Sequence, residues 1–83
     1  MERRVFEGTL FMLFELENYV VLLTNKDADT VLKNAGDNCE EFDDGIVCSG
    51  LRYDIINAMG IRLDRALRKF HGKEVRIKIE VIE

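Results

Sequence analysis

The chain has 83 residues, 47% of them hydrophobic and 34% charged, with a formal net charge of −4. That length makes a single domain over residues 1–83, with a radius of gyration of roughly 12 Å when compact, and the composition excludes a disordered chain. The acidic balance disfavours a generic DNA-coating protein, and two cysteines are too few for a secreted disulfide framework.

The longest apolar stretch comes first. Arg3–Leu16 and Tyr19–Thr24 read as two strands of a hairpin, with a tight turn at Glu17-Asn18. Period-two counting puts Phe6, Leu10, Met12, Phe14 and Leu16 on one face, with Tyr19, Val21 and Leu23 on the return strand. This face is expected to form the core. A strand from Arg3 to Leu16 is too long for so small a domain, and Gly8 is the expected site of a bulge or bend. The opposite face carries Phe11, Leu13, Val20 and Leu22 between polar ends. A hairpin covered by helices on one side is normally polar on the other, so either a bulge at Gly8 shifts the register, or the terminal segments fold over these four residues, or they are a contact surface for a partner subunit, the reading favoured for this chain.

After Asn25 the period changes. Ala28, Val31, Leu32 and Ala35 share one face of a short helix, Thr24 with Asp27 fits a capping box, and Gly36 is a C-terminal stop. Residues 37–45 form an acidic connection ending in the turn signal Asp43-Asp44-Gly45. A short strand over Ile46–Ser49 follows, pairing with Cys39–Phe42. From Leu51 to Phe70 the pattern is helical, and Gly60 together with the misplaced Ile61 predicts a break into two pieces. Val75, Ile77, Ile79 and Val81 alternate with Arg76, Lys78 and Glu80, which predicts a half-buried last strand.

The order β-β-α-β-α-β predicts an α+β fold, a two-layer sandwich of a mainly antiparallel sheet with helices on one face. The expected core is Phe6, Leu10, Met12, Phe14, Val21, Leu23, Val31, Leu32, Ile55, Met59, Leu63, Leu67, Phe70, Ile77 and Ile79.

Few residues point to chemistry. The acidic loop offers hard oxygen ligands at Asp37, Glu40, Glu41, Asp43 and Asp44, but without the spacing of a helix-loop-helix calcium site. Cys39, Cys48 and His71 lack the close pairs of a structural zinc site, so the cysteines are read as a buried thiol pair or as a bridge across their hairpin. Ser49 and His71 are the single serine and histidine, in no nucleophilic context. The Ser49-Gly50 step into a helix has only the generic geometry of an anion site. No metal, cofactor or catalytic residue is assigned, and the protein is read as non-enzymatic.

Charge is unevenly distributed. Residues 1–44 carry eleven acidic and four basic side chains, and residues 45–83 carry eight basic and five acidic ones. The halves attract one another, within a fold or between copies. Arg62, Arg65, Arg68, Lys69, Lys73, Arg76 and Lys78 form a basic patch suited to nucleic-acid phosphates or to an acidic protein. Against that stand internal partners: Asp64 for Arg68 along the helix, and Glu7, Glu15 or Glu17 across strands for Arg76 and Lys78.

The sequence reading is therefore a small interaction module, a homodimer or higher oligomer associating through the N-terminal hairpin. The alternative is a nucleic-acid-associated regulator using the basic patch. The apolar run Leu10–Leu23 is interrupted by Glu15, Glu17 and Asn18, so no membrane span is expected. No signal peptide is read at the N-terminus, and the expected location is cytoplasmic. The absence of proline and glutamine, with abundant Glu, Lys and Arg, leans toward a thermophilic source, although five asparagines weigh against it.

Overall fold

The structure, a computed structural model, describes residues 3–83. It is a mixed α+β fold built on a mostly antiparallel five-stranded sheet and a separate two-stranded ribbon. The elements run β1 (Thr9–Glu15), β2 (Asn18–Thr24), α1 (Ala28–Asn34), β3 (Gly36–Asp37), β4 (Glu40–Phe42), β5 (Gly45–Val47), β6 (Gly50–Leu51), α2 (Tyr53–Met59), β7 (Gly60–Arg62) and α3 (Leu63–Ala66), with a 3₁₀ turn over Leu67–Phe70. The large sheet has the order β4-β5-β1-β2-β7, and β3 pairs with β6.

The β1–β2 hairpin is the centre of the sheet. Its register pairs Glu15 with Asn18, so the turn lies at Leu16-Glu17, one residue earlier than expected. Leu16 takes a positive φ of 49°, which glycine or asparagine would adopt more readily. Directly opposed residues share a face. Leu10, Met12 and Phe14 therefore lie beside Leu23, Val21 and Tyr19, and Phe11 and Leu13 lie beside Leu22 and Val20.

The two faces exchange the roles expected of them. Leu13, Val20 and Leu22 are fully buried and form the core with Val31 and Ala35, Ile56, Ile46, Cys48 and Leu51, with Phe11, Leu32, Cys39 and Met59 packed against them. Leu10, expected in the core, and Tyr19 on the same face are 50% and 58% exposed, while Leu23 of that face is buried as expected. The polar residues at the ends of the buried face misled the pattern because both bond to the protein. The buried Thr24 hydroxyl donates to the Met59 carbonyl at 2.7 Å and accepts from the Lys26 amide. A Glu15 carboxylate oxygen accepts from the Leu51 amide at 2.7 Å.

Helix α1 starts from Asp27, whose carboxylate accepts from the Thr30 amide, so Asp27 and not Thr24 is the N-cap. Gly36 begins β3, where a side chain would collide with the Gly50 carbonyl. The acidic hairpin forms β4 and β5, bridged at its base by the Cys39–Cys48 disulfide. Strand β5 lies parallel to β1, pairing Leu13 with Ile46 and Phe14 with Val47. The helical run of the sequence breaks at Gly60, but the break contains a strand. β7 pairs with the end of β2, Leu23 opposite Ile61 and Thr24 opposite Gly60.

The last expected strand does not join the sheet. Residues 74–83 form no strand, and every residue from 71 to 83 is exposed, with Ile77 67% and Ile79 84% accessible. The positions such a strand would take beside the hairpin are filled. β5 lies along β1, and β7 lies along β2. The observed order accordingly departs from β-β-α-β-α-β. The radius of gyration is 13.5 Å and the longest dimension 43 Å, more extended than a compact chain of this length.

Candidate functional site

The register builds a second, open face on the sheet. Leu10, Met12 and Phe14 of β1 share it with Tyr19 and Val21 of β2, because paired residues point the same way. Val47 joins through its pairing with Phe14, Phe42 through its pairing with Gly45, and Ile61 through its pairing with Leu23. Phe42, Val47 and Ile61 are each exposed, and Met12, Phe14 and Val21 are half-buried. The result is an apolar band crossing all five strands. Gly45 fits this band closely: a side chain there would strike the Phe14 ring and the Met12 carbonyl.

The face proposed from sequence as the contact surface is thus the wrong one. Leu13, Val20 and Leu22 are fully buried in the core, and Phe11 is half-buried against it. The pairing of the residues into two faces was legible. The side on which Val31, Ala35 and Ile56 would pack was not, since both faces are apolar.

The basic patch is divided. Arg62 is largely buried, donates to an Asp64 carboxylate oxygen at 2.7 Å, and lies 5.4 Å from the centre of the Tyr53 ring. Its charge is paired within the fold. Asp64 therefore pairs with Arg62 and not with Arg68. It also accepts the Val21 amide at 3.1 Å. Burial pushes its pKa upward, but the hydrogen bonds from Arg62 and Val21 and the Arg62 charge outweigh this and hold it below the usual carboxylate range. Arg65, Arg68 and Lys69 stay exposed along α3 and the 3₁₀ turn, with the Lys69 ammonium 5.5 Å from the Phe70 ring centre. Lys73, Arg76 and Lys78 lie in the exposed C-terminal segment, so no strand carries them across from Glu7, Glu15 or Glu17.

The remaining candidates resolve into structural roles. Cys39 and Cys48 are consumed by their disulfide, which removes them as soft-metal ligands beside His71. Ser49 donates its hydroxyl to the Asp37 carbonyl and accepts from the Asn38 side chain, fastening the β3–β6 ribbon. The backbone amide at Leu51, which an anion at the Ser49-Gly50 step would use, is already taken by Glu15. Asp37 forms an ion pair with Arg52 across the ribbon. Among the described residues, no three His, Cys, Asp or Glu side chains are grouped to hold a metal ion. No helix of the described residues is long and apolar enough to cross a membrane.

Comparison with protein-family models, with curated proteins and with solved structures gives no match. The open face, the acidic β4–β5 hairpin and the unpaired C-terminal segment therefore have to speak for themselves.

Proposed function

We propose that the protein is a small non-enzymatic interaction module that assembles with copies of itself through the N-terminal hairpin, using the open face of the sheet. The observation that carries this reading is the apolar band in which exposed Phe42, Val47, Leu10, Tyr19 and Ile61 flank half-buried Phe14, Met12 and Val21, on a sheet whose other face already holds the core. Contiguous exposed apolar surface of this kind marks contact sites. A second copy is the occupant favoured by charge. The acidic β4–β5 hairpin and the basic C-terminal third sit on different parts of one chain, so two copies can satisfy each other reciprocally.

In this reading both α1 and α2 cover only the buried face, which leaves the other free for the partner. We place the protein in the cytoplasm. Its disulfide fits there best in a thermophilic source, the setting in which intracellular proteins are rich in such bridges. Light scattering across a dilution series tests the assembly: a mass of twice the 9.6 kDa chain is expected at high concentration.

A second reading rests on Arg65, Arg68 and Lys69, which remain exposed along α3 and the 3₁₀ turn. It assigns the protein to nucleic-acid phosphates. Binding of that kind weakens steeply with salt and is lost in an Arg65→Ala, Arg68→Ala variant.

A further inference from the structure

The C-terminal segment is a strand by sequence and has no sheet to join. Val75, Ile77 and Ile79 alternate with Arg76 and Lys78, yet all five are exposed, and residues 74–83 make no backbone hydrogen bond with other described residues. Ile82 alone of this segment meets a hollow of the sheet end, beside Glu7, Gly8 and Thr24. An alternating strand with both edges open is an unmet pairing demand.

The sheet presents one edge that matches it. β4 is an outermost strand reading Glu40-Glu41-Phe42, and Asp43 follows it as the first residue of the turn. Glu41 opposes Ile46 and so lies on the face opposite Phe42, which opposes Gly45. Glu40 and Phe42 therefore share one face and Glu41 the other, with a second acid, Asp43, just beyond the strand end. The tail alternates base, apolar, base over positions 76, 77 and 78. With Ile77 beside Phe42, period-two matching puts Arg76 and Lys78 on the side of Glu41, one of them opposite it and the other at the strand end next to Asp43. The opposite edge of the sheet, β7, ends in Arg62 and offers no such complement. The Cys39–Cys48 bridge holds the base of the β4–β5 hairpin, so the edge is presented as a fixed template.

We propose that the C-terminal segment of one copy adds as a sixth strand to the β4 edge of a second copy, reciprocally, with Arg76 and Lys78 paired to Glu41 and Asp43 across the interface. This rests on the self-association proposed above and names the segments that meet. It also extends the open face, because Ile77 continues the band that Phe42 begins. Main-chain bonds supply the attachment, and the matched charges set the register.

Charge reversal in the full chain tests it, since all four charged residues are exposed. Arg76→Glu, Lys78→Glu is one variant, and Glu41→Lys, Asp43→Lys is the other. Each alone is expected to associate at least about tenfold more weakly than the parent by sedimentation velocity, since like charges then face each other at both reciprocal sites. An equimolar mixture is expected to recover the dimer, because every tail then meets an edge of opposite charge. Parental association by both variants, or a mixture that sediments as its components do alone, overturns the strand exchange. If those variants stay dimeric while substitution of Leu10 and Tyr19 on the open face gives monomer, the exchange fails and self-association stands. A parent chain that is monomeric throughout overturns both.

Discussion

The Val21 amide donates to an Asp64 carboxylate oxygen at 3.1 Å, across a sequence separation of 43 residues. β7 pairs with β2 from Thr24 down to Leu22 and then stops, because the chain turns into α3 at Leu63. Asp64 takes the next amide that a longer strand would have taken. The same carboxylate receives Arg62, so one side chain closes the edge of β2 and holds the cation beside it. Asp64→Ala leaves the Val21 amide and the Arg62 guanidinium without this partner. A loss of about 2 kcal/mol is expected in urea denaturation, the size of a charge-assisted hydrogen bond removed from a part-buried site.

The same residue gives a pH dependence with a definite sign. Asp64 has a lowered pKa in the folded protein, although burial acts against the lowering. Its stabilising contribution is therefore present above the unfolded carboxylate value, about 3.9, and is lost as pH falls through the folded value. Denaturation midpoints of the parent should decline below about pH 4. The decline should be shallower in Asp64→Asn, which cannot be protonated there.

The exchange of faces has a direct mutational signature. Leu13 is fully buried at the centre of the core, so Leu13→Ala should cost about 2–5 kcal/mol. Phe11 packs against the same cluster, so Phe11→Glu should destabilise the fold by leaving a charge against apolar neighbours. Had Phe11 and Leu13 lined a partner interface, these changes would lower the assembled mass and leave the monomer's stability intact. Thermal melts of dilute samples separate the two outcomes.

Leu16 is 95% exposed and held at positive φ in the hairpin turn. It contributes little packing there, and its conformation is one that glycine adopts without steric cost. Leu16→Gly should therefore raise stability by up to about 1 kcal/mol, the relief of the left-handed backbone less the added chain entropy.

The Cys39–Cys48 bridge closes a short loop across the β4–β5 hairpin. By the chain-entropy relation, closing a loop of about ten residues stabilises by about 3 kcal/mol. Reduction and alkylation should lower the denaturation free energy by that order. Intact mass before and after reductant checks that the bridge is present in the material tested.

Much of the fold was legible because its signals are local. The period-two runs of the hairpin, the Asp43-Asp44-Gly45 turn and the spacing of Ala28, Val31 and Ala35 each depend on a few neighbouring residues. The break at Gly60 was visible too, but β7 was not. Three residues hold no period, and what makes Gly60–Arg62 a strand is the edge of β2, 35 or more residues away in the chain. The choice of buried face was illegible for a related reason. Glu15 and Thr24 look like solvent-facing ends until their backbone partners at Leu51 and Met59 are known. The Arg62–Asp64 pair is not legible in the sequence, because helical spacing gives Asp64 to Arg68. A helix that begins only at Leu63 brings Asp64 to Arg62 instead.

The most direct test of self-association through the open face is the solution mass of a Leu10→Lys, Tyr19→Lys variant beside the parent, measured by sedimentation velocity over a hundredfold concentration range. Both side chains are at least half exposed, so the fold should persist in the variant. A parent approaching twice 9.6 kDa and a folded variant remaining at the single-chain mass is the expected result. Equal masses for the two chains at every concentration would contradict it.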